Sequence, residues 1–184
     1  AFLQAGEQYG LRAAGDYNSG EQEGVHVTQA TIRDGKRCST AVAYLRPAMA
    51  RPNLTVRNNC LVEKIVFSGT AAQGVSFLRN GQVETVMAGR EVILSAGTIG
   101  SPHILMLSGV GEAAHLKTHG IPPIADLPGV GRGLQDHVVA SLRFRSNGAD
   151  AINRNLESLA GRARLGLEWL LFKRGLGASN FFEV

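Results

Sequence analysis

Residues 97–111 read GTIGSPHILMLSGVG, and this stretch decides which fold the chain adopts. The run before it, EVILS at 91–95, has a β-branched apolar centre, which predicts a buried strand that ends in small residues. Ser101 predicts a helix start, because its hydroxyl can cap free N–H groups while Pro102 needs no donor in a first turn. Residues 104–107 are all apolar, so we expect this helix to be buried. A strand, a small-residue turn and a capped helix indicate an α/β protein.

Two glycines follow this helix. Gly109 and Gly111 can both take the positive φ that ends a helix. The local pattern of the strand, turn and helix has two interpretations. Some α/β proteins use this unit to bring backbone close to a cofactor, whereas in others it is an ordinary part of a parallel sheet.

Three segments along the chain share one family pattern. They are 97–111, then DLPGVGRGLQDH at 126–137, and upstream GKRCSTAVAYLRP at 35–47 followed by RPNLTV at 51–56. In this order and spacing they resemble the signature segments of the glucose-methanol-choline (GMC) family of flavin oxidoreductases. The resemblance runs over nearly the whole chain, so it identifies a family where a single glycine motif would not.

The resemblance implies an enzyme that oxidises a primary alcohol by hydride transfer to flavin adenine dinucleotide (FAD). Segments 166–172 and 175–183 are most similar to choline dehydrogenases and related alcohol dehydrogenases, which implies the oxidation of choline to betaine aldehyde. Two alternatives stay open. One is a GMC alcohol dehydrogenase or oxidase acting on uncharged aliphatic or aromatic alcohols, and the other is a non-catalytic binding or scaffold domain. The electron acceptor is left open.

The resemblance also implies roles for five residues. Val62 lies where the family's backbone N–H and C=O hold the adenine edge, and Ala96 and Gly97 end a strand beside the same group. Glu183, preceded by Phe182, lies where a carboxylate and an aromatic face attract a trimethylammonium group. Two of these roles have a plainer alternative. Val62 fits an ordinary core valine, and Glu183 fits a scaffold glutamate paired with an arginine.

The catalytic groups of the family have no counterpart in this sequence. The phosphate-binding Gly-x-Gly-x-x-Gly turn and the catalytic histidine pair are absent, so we expect an internal fragment that is inactive alone, with its catalytic residues outside it. His137 is a candidate proton-transfer residue, because histidine is the side chain most often used for general acid–base catalysis. It belongs to the Leu-Gln-Asp-His segment, which favours a structural role.

The resemblance divides the chain into two parts. It implies a mixed α/β (α+β) fold in which 1–137 forms part of a Rossmann-like FAD-binding domain with an antiparallel β-meander. Residues 138–184 would begin a substrate-binding domain, against which residues near 1–50 would pack. The local pattern supports the meander independently. Asn80-Gly81 predicts a tight hairpin between two of three expected strands, at 60–67, 74–78 and 82–87.

Charge and composition exclude several other classes. The net charge is +4, but the arginines are scattered rather than gathered into a patch, so we expect no nucleic-acid partner. One basic group flanks the apolar run 165–172: Arg154, Arg162, Arg164, Lys173 and Arg174. It indicates peripheral contact with an anionic membrane or a helix packed on its own domain. No apolar run is long enough to span a bilayer. The two cysteines, which form no disulfide framework, favour a cytoplasmic protein.

Cysteine and histidine spacing indicates no metal site. Cys38 and Cys60 form no disulfide framework and no metal motif, so we expect reduced, buried thiols. His115 and His119 have the i, i+4 spacing of a zinc pair, but the residues between them supply no glutamate base and no third ligand is evident.

Overall fold

The computed structural model describes residues 2–140 and 156–179. The chain divides into two compact units. One is Ala1–Thr55 together with Leu142–Val184, and the other is Val56–Ser141. Both units combine short helices with paired strands, which confirms the predicted mixed α/β class. What each part of the chain binds, and therefore the predicted flavin-binding and substrate-binding domains, stays a prediction.

The elements lie along the chain in this order. The first unit begins with helix α1 (Phe2–Gln8), strands β1 (Ile32–Arg33) and β2 (Lys36–Arg37), a π-helical turn (Ala41–Leu45) and helix α2 (Arg46–Ala48). The second unit has strands β3 (Leu61–Ser68), β4 (Ala71–Arg79) and β5 (Gln82–Met87), helix α3 (Gly97–Leu107), strand β6 (Val110–Gly111), helix α4 (Ala113–Thr118) and strand β7 (Ala125–Asp126). The first unit ends with helix α5 (Leu159–Phe172) and a 3-10 turn (Leu176–Ala178).

The main sheet of the second unit is the predicted meander. Its three strands pair antiparallel in the order β3-β4-β5. Asn80 and Gly81 connect β4 to β5 with φ values of +51° and +79°. A two-residue hairpin turn of the primed type needs positive φ at both positions, and asparagine and glycine accept it at the lowest cost. The hairpin and the meander are therefore confirmed.

Helix α3 differs from its prediction at the start. It begins at Gly97, so Pro102 lies inside the helix rather than in its first turn. Ser101 is not the N-cap. Its Oγ instead accepts a hydrogen bond from the N–H of Ala96 at 3.0 Å, from within the helix. The helix is also not buried, because Ile99 is 76% exposed and none of its residues is buried. Among the described elements, it packs mainly on β3 and β6.

The segment 91–95 is not a strand. It pairs with no other strand of residues 2–140 or 156–179, and the side chain of Ile93 is 78% exposed. The prediction of a buried strand is wrong for this structure. An apolar run becomes a strand only when a neighbouring strand accepts its N–H and C=O groups, and local sequence cannot supply that neighbour.

The end of α3 is fixed by one glycine rather than two. Gly109 has φ +87°, as predicted, and a Cβ there would lie 2.6 Å from the carbonyl oxygen of Pro122. The prediction is wrong for Gly111, which lies in β6 and pairs with Asp126 in a short parallel ladder. Leu116, only 1% exposed, closes the small core beneath this ladder.

A hydrogen bond in the first unit joins residues that are far apart in sequence. The indole N–H of Trp169, in α5, donates to the carbonyl oxygen of Gly35 at 2.6 Å. Gly35 forms the β1–β2 turn with φ +63°, and a Cβ there would overlap the carbonyl oxygen of Lys173. The ammonium of Lys173 lies 4.2 Å from the centre of the Trp169 ring. These contacts fasten the β1–β2 hairpin to the C-terminal end of α5.

Helix α5 carries most of the basic group. Arg162, Arg164, Lys173 and Arg174 lie on it or just after it, and Arg154 lies outside the described residues. The apolar side chains of Leu167, Leu170, Leu171 and Phe172 are more than half exposed. Among the described residues, no helix combines the length and apolar character needed to cross a membrane.

The Trp169–Gly35 hydrogen bond is testable by substitution in the complete gene product. Trp169→Phe keeps an aromatic ring for Lys173 but removes the N–H donor, so we expect the β1–β2 hairpin to open about fivefold more often, for a loss of about 1 kcal/mol. Trypsin should then cleave at the exposed Lys36 and Arg37 correspondingly faster. Leu171→Met, at an exposed position of the same helix, is the control and should leave the cleavage rate unchanged. Equal rates for Trp169→Phe and the wild type would contradict the assignment.

Candidate functional site

Val62 lies in β3, one of the two edge strands of the meander. Its side chain is half-buried, and its cross-strand partner on β4 is Phe77. The opposite side of β3 carries no strand among the described residues. A strand in this position presents backbone N–H and C=O groups that have no partner in the sheet. Such an edge can hydrogen-bond a ligand, as the predicted adenine contact requires.

A β-bulge interrupts β3 next to Val62. Val62 pairs with Phe77, and Lys64 pairs with Ser76. Glu63 is therefore an extra residue without a pairing partner on β4. The hydroxyl of Ser76 donates to a carboxylate oxygen of Glu63 at 3.3 Å, and Ser76 is only 4% exposed. A bulge bends its strand and changes the direction of the residues beside it. Here the hydrogen bond from Ser76, on the neighbouring strand, holds the extra residue Glu63 in place.

Ser108 connects helix α3 to the same strand. Its hydroxyl donates to the carbonyl oxygen of Ile104 at 2.5 Å and accepts from the backbone N–H of Ile65 at 2.8 Å. Ser108 and Ile65 are both buried. In the sequence, the only sign of this role is a serine between an apolar helix and Gly109. That signal is weak, and the sequence analysis did not identify Ser108. The bond fixes α3 against the outer side of β3.

Ala96 and Gly97 lie at the start of α3, in the same unit as Val62. Gly97 has φ +83°, and a Cβ built on it would meet nothing within 4 Å. The resemblance places these two small residues beside the adenine. The structure adds a conformational reason, since only glycine adopts this φ without strain. Ala96 and Gly97 are both exposed, so their backbone is accessible.

Two arginines of the second unit form ion pairs. The guanidinium of Arg57 lies 3.2 Å from a carboxylate oxygen of Glu84 and 6.0 Å from the ring centre of Phe77. Arg132 pairs with Glu112 in the same unit.

The remaining predicted residues have different outcomes. Glu183 and Phe182 lie outside the described residues, so their role stays a prediction. His137 is described and exposed, and the choice between a structural and a catalytic role stays open. Cys38 and Cys60 are free thiols, but they are half-buried rather than buried.

The rings of His115 and His119 meet edge to face with their centres 4.8 Å apart. Within residues 2–140 and 156–179, no third histidine, cysteine or carboxylate joins them in a group that could hold a metal ion.

A cleft of about 650 Å³ lies in the first unit. Segment 29–37 and Gly177–Ser179 supply its walls, including the side chains of Lys36 and Arg37. None of the predicted site residues lines it. The Val62 edge and the start of α3 belong to the other unit.

Comparison with known proteins defines the class. The family model described as GMC oxidoreductase matches residues 1–139, and the chain belongs to this family. The oxygen-dependent choline dehydrogenases of Brucella canis and Sinorhizobium medicae are 46% and 45% identical to it over 183 residues. Those alignments cover 100% of this chain and 33% of each relative, so the chain spans about a third of their length.

Two solved structures show the same fold. One is an FAD-dependent oxidoreductase from Chaetomium thermophilum, with a TM-score of 0.83 and 29% identity over 96% of this chain and 32% of that one. The other is a formate oxidase from Aspergillus oryzae RIB40, with a TM-score of 0.82 and 25% identity over 98% of this chain and 32% of that one. The predicted family is confirmed.

The Ser108 bond predicts a stability effect. Ser108→Ala leaves the N–H of Ile65 buried without an acceptor, so we expect the free energy of unfolding to fall by about 1–3 kcal/mol. Ser68→Ala removes an exposed hydroxyl from β3, the strand of Ile65. It should change the free energy of unfolding by less than about 0.5 kcal/mol. Urea unfolding of the complete gene product, with hydrogen exchange read at the Ile65 amide, compares the two. Equal midpoints for the two variants would contradict the role of Ser108.

Proposed function

We propose that the protein containing this chain is an FAD-dependent oxidoreductase that oxidises choline to betaine aldehyde. The observation that carries the proposal is the 46% identity, over the whole of this chain, to relatives named oxygen-dependent choline dehydrogenase. Membership of the GMC oxidoreductase family supports the reaction class, alcohol oxidation with hydride transfer to flavin. The substrate, cofactor and activity are proposals because the chain spans a third of those relatives.

The residues present fit the adenine half of FAD. Adenine needs a hydrogen-bond donor and an acceptor side by side, and the outer edge of β3 at Val62 offers an N–H and a C=O in that arrangement. The open space at Gly97 and the exposed backbone of Ala96 leave room for a flat group. When bound, the flavin supplies the hydride acceptor. In the proposal, this chain holds and orients the adenine, while the phosphate-binding turn and the proton-transfer residues lie elsewhere in the protein.

Substrate recognition is proposed for the end of the chain. Glu183 would attract the trimethylammonium group of choline, and Phe182 would present an aromatic face to the same cation. A carboxylate beside an aromatic ring favours a quaternary ammonium over an uncharged alcohol. If Glu183 instead pairs with an arginine within the protein, choline loses this advantage.

A second candidate is a GMC alcohol dehydrogenase or oxidase that acts on uncharged aliphatic or aromatic alcohols. The similarity to a formate oxidase, at 25% identity over 98% of this chain, favours the oxidase form of this candidate. In that case electrons pass to oxygen and turnover produces peroxide.

We further propose a cytoplasmic location, on the basis of the two free thiols. The exposed apolar side chains of α5, with Lys173 and Arg174 at its end, suit contact with an anionic membrane surface or with the rest of the protein. Sedimentation of the complete gene product with anionic vesicles distinguishes contact with a membrane from packing against the rest of the protein.

The reaction is tested on the purified complete gene product. We expect a bound flavin absorbance spectrum that choline bleaches under anaerobic conditions, because hydride transfer reduces the flavin. Admission of oxygen with assay for peroxide then distinguishes an oxidase from a dehydrogenase that uses another acceptor. Protein that binds no flavin would refute the proposal, and bleaching by uncharged alcohols but not by choline would favour the second candidate.

The role of Glu183 gives a separate prediction. Glu183→Gln removes the negative charge, so the KM for choline should rise about tenfold or more. The KM for 3,3-dimethylbutanol, which has the shape of choline without its charge, should change little. Glu157→Gln, at an exposed position on the same part of the chain, is the matched control. Equal effects of Glu183→Gln on both substrates would assign this residue to the scaffold.

A further inference from the structure

The β1–β2 hairpin holds two cations opposite each other. Arg33 and Lys36 are cross-strand partners, and Arg37 follows Lys36 directly. Like charges at opposite positions of two neighbouring strands repel each other and destabilise the pair. Asp34, the acid in the turn between them, forms no ion pair with a described residue. The hairpin therefore carries a positive charge that the described part of the chain leaves unbalanced.

Two arginines elsewhere in the first unit have a carboxylate partner. The guanidinium of Arg12 lies 2.6 Å from an oxygen of Glu21, and that of Arg174 lies 3.9 Å from an oxygen of Glu168. The side chains of Lys36 and Arg37 form no hydrogen bond or ion pair with any residue of 2–140 or 156–179. Both side chains are exposed, so an external anion can reach them.

Lys36 and Arg37 line the cleft of about 650 Å³ in this unit. Its other walls are segment 29–32, Gly35 and the 3-10 turn at Gly177–Ser179. No aspartate or glutamate is among the described residues that line it. Sites for small organic molecules have volumes of about 300–1,000 Å³, so the cleft is large enough for one. Its charge attracts anions and repels cations such as choline.

Trp169 connects two walls of the cleft and fixes their separation. Its indole N–H donates to the carbonyl oxygen of Gly35 at 2.6 Å. On the other wall, a Cβ built on Gly177 would lie 3.0 Å from the Cβ of Trp169. The hairpin and the 3-10 turn therefore both pack on one side chain. Walls that are fixed before a ligand arrives lose less conformational freedom when it binds.

We propose that this cleft binds an organic oxyanion, that is, a ligand with phosphate or carboxylate groups. Lys36 supplies a compact charge, and Arg37 supplies a planar fork of N–H donors that matches the oxygens of either group. The bound anion balances the charges of Arg33 and Lys36, which otherwise repel each other across the hairpin. The cleft shares no described residue with the proposed flavin and choline sites, so this site is additional to them and does not rest on the proposed function.

Titration calorimetry on the complete gene product, as purified and at low ionic strength, tests the proposal. Pyrophosphate and citrate are the two probes, and we expect at least one of them to bind at a single site. The probe that binds more tightly shows whether the site prefers phosphate or carboxylate. Lys36→Gln and Arg37→Gln should each weaken its binding about tenfold, because each removes one charge-assisted contact.

Arg79→Gln is the matched control for these variants. Arg79 also lies beside a two-residue hairpin turn, at the end of β4, and its substitution changes the net charge by the same amount. It should leave anion binding unchanged. Lys36→Arg keeps the positive charge and should bind the anion as the wild type does. A loss in Lys36→Gln that Lys36→Arg does not share is therefore a loss of charge rather than of folding.

Proteolysis gives a readout that a merely structural role of Lys36 would not move. The anion that binds more tightly should slow trypsin cleavage after Lys36 and Arg37 about tenfold at saturation, because it stabilises the closed hairpin. Without any anion, Lys36→Gln should by itself slow cleavage after Arg37, since it removes the repulsion from Arg33. This variant should therefore combine a more stable hairpin with weaker anion binding.

Several results would overturn the proposal. They are no binding of either probe, equal binding by Lys36→Gln and the wild type, and an equal loss of binding in Arg79→Gln. Cleavage rates that do not respond to the anion would also contradict it. Release of bound flavin by either probe, seen as a change in the flavin absorbance, would place the anion in the flavin site instead of this cleft.

Discussion

The hydroxyl of Ser108 is the constraint on which the second unit depends. It accepts from Ile65 on β3 and donates to Ile104 on α3, so a single buried side chain satisfies one end of a helix and one edge of a sheet. A buried N–H without a partner costs far more than the bond itself contributes, which makes this connection specific. The candidate site at Val62 lies on the same strand.

The same kind of bond organises the first unit. Trp169 donates to the carbonyl of Gly35, and Lys173 covers the indole ring. Such directional bonds matter because few apolar side chains of the described residues are buried: Ile65, Phe77, Val110 and Leu116. Many others are exposed, including Ile93 and Ile99 near the start of α3. Exposed apolar surface of this kind marks a binding surface, and we infer that other parts of a longer protein pack on it.

Sequence reasoning was reliable where the structure depends on neighbouring residues. Asn80-Gly81 forms the predicted turn because positive φ is a property of those two residues, and the flanking strands then pair by proximity. It failed for 91–95, where a strand needs a partner that no local pattern supplies. It also placed the start of α3 at Ser101, because a serine followed by proline resembles an N-cap, whereas the serine hydroxyl bonds to Ala96 from inside the helix.

The sequence by itself determined the family, the meander and the small residues at 96–97, because signature segments, turn residues and glycine positions are written in the order of the chain. Only the tertiary structure decided that Glu63 is an extra residue of β3, that Ser108 caps Ile65, and that Val62 faces the open edge. The reason is that a β-bulge is defined by pairing between two strands. A single strand of period two contains no mark of which of its residues will be left unpaired.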